Sequence, residues 1–396
     1  MMTCKNDNKY RTTALNADRL GVLSCSWEKE GSIIMDIRSL RAFIKRHPYI
    51  NYSVRCLRGL RDKRFMNIII EEGRNWNNIQ IQEFGTNNKH VNIYLIKDFY
   101  YYTNGFFTLY IHLLERLAFA ERFSLVPIVE FDERCLYYQP EGVNGVTNAF
   151  EYYFEPVSTI QLLEAKNSMN VFLSHPGHEK IMDQNDTYET ETKLKKDYER
   201  NSYSVQTKLY QEYARLQRKY IHLQKHLQKE FDESLNEKLL PKTLGVHVRQ
   251  TDFKTHLKNH PNFIPVEEYI EQAKHMMQAY GYEHIFLATD DLATIDFFVS
   301  EFGKAVWFYE DVYRASGEVG VHFSDIERDN HRYLLGIEVL RDMITLTACD
   351  GFLGGRSSIA ICVQINKMSK NESFHHIRIL DKGINMIWKQ KKINQM

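Results

Sequence analysis

The sequence predicts an α/β protein in two domains, the second of them a doubly wound parallel sheet. Three observations predict it. From residue 243 onward, apolar runs of strand length alternate with helical periods; each run stops at small or polar residues; and 396 residues exceed what one ordinary core encloses. The division falls at Pro241, giving a first α/β domain over 1–240 and a second domain over 241–396.

Residues 1 to about 30 are polar and without period, and are expected to form a loose lead-in. Between Arg38 and Arg64 nine Lys or Arg face a single acid, Asp62. A solvated helix face explains that run, and weak peripheral contact with an anionic membrane surface is the sharper alternative. At Val91 a first strand–turn–helix–strand unit begins: VNIYLI as strand, Thr103-Asn104-Gly105 as turn, Phe106 to Ala120 as amphipathic helix and LVPIVEF as the next strand. The turn has one glycine, so it is no dinucleotide fingerprint, but the loop at Asn104 and Gly105 and the NH groups behind it can face a phosphate. Residues 148–156, NAFEYYFEP, suit either a sugar cleft or ordinary core packing. Val205, Leu209, Tyr213, Leu216, Tyr220, Leu223, Leu227 and Phe231 recur at threes and fours and predict one long helix that ends before Pro241.

In the second half, strand Leu244 to Val248 is followed by a helix from Val266 to Tyr280, with Pro265 at its start and Gly281 past its end. Strand HIFLAT, a helix from Ala293 to Glu301 and strand AVWFY come next. A loop from Glu310 to Asp329 leads to a helix from Tyr333 to Ala348, strand GFLG, the turn Gly355-Arg356-Ser357-Ser358, a helix from Ile359 to Ile365 and strand IRIL.

Composition narrows the function classes. Lys+Arg and Asp+Glu both number 51, so no overall basic excess points to nucleic acid. The six cysteines lack CxxC spacing, so neither a disulfide framework nor a zinc site is indicated. No apolar run reaches membrane-span length and the start lacks a secretory pattern, so a cytoplasmic protein is expected.

The carboxyl ends of parallel strands gather at one edge, where such sheets bind ligands. Arg249 stands there, suited to grip two phosphate oxygens or to pair with an acid across its turn. Ser357 and Ser358 at a helix start can direct hydroxyls and NH groups at an anion, or simply cap the helix. Asp290 and Asp291 admit a Mg²⁺ reading, a helix N-cap or a sugar-hydroxyl contact; with Arg249 and the Ser357 turn at hand, no metal is required. His247 and Asp342 are further candidates, since an aspartate can accept paired hydrogen bonds from guanine N1 and N2.

Three motifs in order, GVHVRQTD, FLATDD and the stretch from Asp342 through Asp350 to Ser357-Ser358, with PVEEY between the first two, resemble the fucosyltransferases typified by the α-1,6-fucosyltransferases of N-glycan cores and the bacterial nodulation enzymes. The likeness covers residues 243–382 and, more loosely, Val91 to Phe131. It implies a two-domain GT-B-like fold, GDP-fucose as donor, a glycan hydroxyl as acceptor, inversion at the anomeric carbon and no cofactor or required metal. It makes Arg249 the catalytic ligand of the β-phosphate, assigns His247 and Asp342 to guanine and Ser357 and Ser358 to the phosphates, and sets Asp290 and Asp291 near the donor. Gln250 replaces the family's second arginine, and Phe253 stands where the α-1,6 enzymes have lysine. No acid lies between Asp252 and Glu267, so the family's carboxylate base has no counterpart. A soluble bacterial type fits better than core N-glycan specificity. Base candidates are His256, His260, an acid of the 310–329 loop and Glu151. The same fold using another nucleotide sugar, or a silent glycan- or nucleotide-binding protein, are the alternatives.

Overall fold

Leu244, Val246 and Val248 alternate with Thr243, Gly245 and His247 along β5 (Thr243–Val248), and all six are buried, which places the strand at the centre of a sheet covered on both faces. The computed structural model describes residues 53, 57, 81–97, 104–174, 208–255, 260–317, 320–324 and 326–383. The lead-in, nearly all of the basic 38–64 segment, Thr103 and His256 lie outside these residues.

The first sheet runs β1-β4-β2-β3, from β1 (Ile81–Gln82), β2 (Ile93–Ile96), β3 (Val126–Val129) and β4 (Val171–Leu173). β4, β2 and β3 are parallel and β1 is antiparallel to β4. Helix α1 (Phe106–Arg122) makes the crossover from β2 to β3, as the strand–turn–helix–strand reading expects. It buries Leu113, Leu114, Leu117 and Phe119 against the Tyr94 and Ile96 face. The short α2 (Leu162–Ala165) closes the opposite face through Ala165 against Ile93, Leu95 and Ile128.

One helix is expected over the stripe from Val205 to Phe231; the protein has two there, α3 (Lys208–Tyr220) and α4 (Lys225–Lys238), with Val205 outside the described residues. The break has a cause outside the stripe. The 150–155 segment takes over the backbone there: Glu155 N donates to His222 O at 2.8 Å and Gln224 N to Tyr153 O at 2.9 Å. The Gln224 amide adds bonds to the carbonyls of Glu151 and Phe154. These bonds stand in for the helical ones lost at the corner. The same segment settles the aromatic stretch: Phe150, Tyr152, Tyr153 and Phe154 are buried and pack on Phe106, Phe131 and Tyr110, so these rings are core and not the wall of a sugar cleft.

The second sheet, β7-β6-β5-β8-β9, is wholly parallel. It comprises β5, β6 (His284–Thr289), β7 (Val306–Trp307), β8 (Gly351–Gly355) and β9 (His376–Leu380). One face packs on α5 (Val266–Tyr280) and α6 (Leu292–Phe302), with Val246, Leu287 and Leu353 against Tyr269, Ala273 and Phe298. Val246, Leu287, Leu353 and Phe298 each contribute roughly 1.5–3 kcal/mol of burial. The other face packs on α7 (His331–Ala348) and α8 (Ser358–Ser369), in one core continuous with α1, α3 and α4. No helix among the described residues is long and apolar enough to cross a membrane.

Gly336 in α7 marks where the first half presses closest. A Cβ there would lie 2.3 Å from the Tyr153 hydroxyl, which donates to the Tyr333 carbonyl at 3.0 Å while the two rings stack. Gly336→Ala is expected to lower stability by about 1–3 kcal/mol despite alanine's better helix propensity. Urea denaturation checks this, and a neutral result would mean Tyr153 moves aside freely.

Candidate active site

In chain order the second sheet runs third, second, first, fourth, fifth, so the winding reverses between β5 and β8. A crevice outside the carboxyl ends of strands at such a switch point is where doubly wound sheets take their ligands. His247, paired in register with Gly354 of β8, and Arg249 leave β5 at that point; Gly355 to Ser358 leave β8.

Arg249 is fixed by two carboxylates: Nη2 meets Asp252 Oδ1 at 2.8 Å and Nη1 meets Asp290 Oδ2 at 2.9 Å. Asp290 also accepts from Gln250 N at 2.9 Å and from the Thr251 hydroxyl. Burial pushes the Asp290 carboxyl up, but Arg249 and these hydrogen bonds outweigh it and hold the group below its ordinary value. The Arg–Asp turn pair and the exposed-edge arginine are therefore one arrangement. Two acids face one guanidinium, leaving a negative charge in excess. His247 is buried beside it, and burial, opposed by Asp290, lowers its pKa to about 3, so the ring is neutral.

The two serines divide their tasks. Ser357 caps α8, its Oγ accepting from Ala360 N at 3.3 Å, and lies 3.5 Å from His247 Nδ1. Ser358 Oγ sits 3.1 Å from Thr108 Oγ1 in the first turn of α1. The α1 and α8 N-termini thus meet beside the crevice. Gly105 is the N-cap of α1 and offers no capping side chain, and Phe106 N donates to the buried Tyr137 hydroxyl at 2.7 Å. Asn104 precedes it, partly exposed.

Asp290 and Asp291 do not point at a common centre. Asp291 caps α6, accepting from Thr294 N at 3.0 Å, and pairs with Lys254 at 3.0 Å, while Asp290 holds Arg249. Asp342, in α7, makes no contact with the Arg249 group; it lies among Arg314, Arg341, Glu338 and Asp311. Its carboxyl is buried with Oδ1 unpartnered, and burial pushes the pKa up to about 7 against the pull of the two arginines.

Sequence reasoning missed two groups. The 310–329 loop brings His322 to Arg249: a Cβ built on Gly320 would lie 2.7 Å from His322 Cε1 and 3.5 Å from Arg249 Nη2. Tyr137, behind α1, lies within the electrostatic reach of Arg249. A lone histidine in a loop and a tyrosine in an aromatic-rich half carry no spacing that marks them. Of the base candidates, His260 stands beside Asp252 and Arg249, whereas Glu151 is tied to Asn148 at 2.7 Å within the 148–154 turn. A shallow recess lies between the ends of β5, β8 and β9, walled by Arg249, Phe253, Tyr269, Arg356 and Asp381 among others.

Fold and site together define an α/β protein of two sheets, the first mixed and the second parallel, with a charged crevice at the switch point of the second. No protein-family model matches the chain, and no curated protein matches it in sequence. Among solved structures it is similar to the fucosyltransferase NodZ from Bradyrhizobium, at 16% identity and a TM-score of 0.41, over 70% of this chain and 93% of that one. It is similar also to POFUT1 in complex with GDP-fucose, at 12% identity and a TM-score of 0.42, over 74% of this chain and 98% of that one. Likeness at this level assigns no role to any residue.

Proposed function

We propose that the chain is a glycosyltransferase that moves fucose from GDP-fucose to a glycan hydroxyl. The observation that carries this reading is Arg249, at the end of β5 on the switch point of a doubly wound sheet, beside the α8 N-terminus and its serines. The GVHVRQTD, FLATDD and Ser357-Ser358 motifs support it. Breaking the bond between the anomeric carbon and the β-phosphate oxygen leaves charge on the diphosphate. Arg249 and the α8 turn stabilise that charge more as it develops than in the bound donor. The acceptor hydroxyl attacks from the opposite face, with inversion and without a resident metal, and its proton passes to a base; His260 is the candidate beside Arg249.

In this reading residues 1–240 hold the acceptor and 241–396 the donor, with His247 and Asp342 turned to guanine, in a cytoplasmic enzyme. GDP and GDP-fucose are expected to raise the unfolding temperature where UDP and UDP-glucose do not, and GDP release is expected to require an acceptor from a glycan panel. A shift with UDP-sugars alone would point to another donor. Binding without turnover on any acceptor would point to a silent binding protein.

A further inference from the structure

A diphosphate entering the crevice adds negative charge to a group that already holds two carboxylates against one guanidinium. The α1 and α8 N-termini each offer about half a positive charge, and that of α8 is partly spent on Ser357. Further positive charge has to come from a side chain.

His322 is placed to supply it. Its ring and Arg249 Nη2 flank the same point beside Gly320, and its Nδ1 lies 4.0 Å from where a Cβ on Gly105, the N-cap of α1, would be. The ring rests on Phe323 with centroids 4.1 Å apart, and its backbone carbonyl accepts from Arg332 at 3.4 Å. Among the described residues neither ring nitrogen has a hydrogen-bond partner. The imidazole, with both nitrogens unengaged by protein groups, is set between an arginine and the start of α1.

Given the nucleotide-sugar reading on which this rests, we propose that His322 contacts the diphosphate and takes up a proton as the ligand binds. In the free protein, burial and then Arg249 lower its pKa to about 4, with His260 adding to the shift and Asp252 and Asp290 opposing it, so the ring is neutral at pH 7. Ligand oxygens reverse the balance and favour the imidazolium. The sign follows: the complex holds the proton more tightly than the free protein. Affinity therefore falls as pH rises from about 4 to the pKa of the complex, by up to about tenfold per unit, and is level above it.

GDP-fucose is the suitable probe, because both its phosphates are diesters and do not titrate in this range. Titration calorimetry of the full chain with GDP-fucose, without acceptor, at pH 6.5 in two buffers of different ionisation heat reads the protons directly. More than about half a proton per ligand is expected. His322→Gln should abolish the uptake and weaken binding about tenfold. Gly320→Ala, whose Cβ displaces the ring, should reduce both, and His260→Gln should leave the uptake in place. GDP-fucose binding with no proton uptake, or uptake unchanged in His322→Gln, overturns the role of His322 and leaves the nucleotide-sugar reading standing. No binding of GDP-fucose at all removes both. The wild-type measurement decides even where a variant does not fold.

Discussion

Arg249→Ala is expected to lower the rate of fucose transfer by about 10²–10³, seen mainly in kcat. In the proposed reaction the guanidinium acts on charge that develops as the sugar–phosphate bond breaks, so its loss should fall on the transition state more than on donor binding. Arg249→Lys keeps the charge but cannot meet two oxygens and two acids in one plane, and should fall between the two. The alanine variant also strands Asp290 and Asp252. Asp290 is nearly buried and keeps only the Gln250 and Thr251 bonds, so stability should fall toward the lower end of the 3–5 kcal/mol, roughly, that a broken buried pair costs. Steady-state kinetics and denaturation on the same samples separate the two effects. Wild-type kcat in a folded Arg249→Ala protein would end the catalytic assignment.

Asp342→Asn should make the protein more stable at pH 8 and, in the proposed reading, blind to guanine. The folded pKa of about 7 lies above the ordinary carboxylate value, so the unfolded chain releases this proton first. Stability is therefore lost as pH rises from about 4 to about 7, and does not change further on this account above that. Asparagine removes the titration, with a gain at pH 8 on the order of 1–4 kcal/mol and little difference near pH 4. If Oδ1 waits for the N1 and N2 donors of guanine, GDP should no longer raise the melting temperature of the variant. Urea denaturation at the two pH values checks the first statement and thermal shift with GDP the second. An unchanged variant at pH 8 would mean that the carboxyl has a counter-ion when ionised.

The second sheet was legible because its strands are short apolar runs closed by polar turns, and their alternation with helices admits few other folds. Helix ends were near their signals: Asp291 capping α6 and Ser357 capping α8 were both among the readings of those residues. The break between α3 and α4 was not legible, because it is imposed by the carbonyls of residues 151–154, some seventy positions earlier in the chain. Strand β4 was missed for the opposite reason: three residues, Val171–Leu173, are too few to show a period. At the site, the local Arg249–Asp252 pair was foreseeable from spacing, but the Asp290 partner needs the β5–β6 register. His322 needs the path of a loop that has no periodicity at all.

Helices α1 and α3, from the first half of the chain, lie on α8 from the second: Gln217 of α3 bonds to Asn366 and Ser369, Arg218 reaches the Ser369 carbonyl, and Thr108 of α1 meets Ser358. Enzymes with two lobes commonly swing them about a linker to admit a substrate and shut it in. Here such a swing would tear a seam of side-chain bonds and bring shared core into water. A ligand of the crevice should therefore enter and leave without movement of whole lobes.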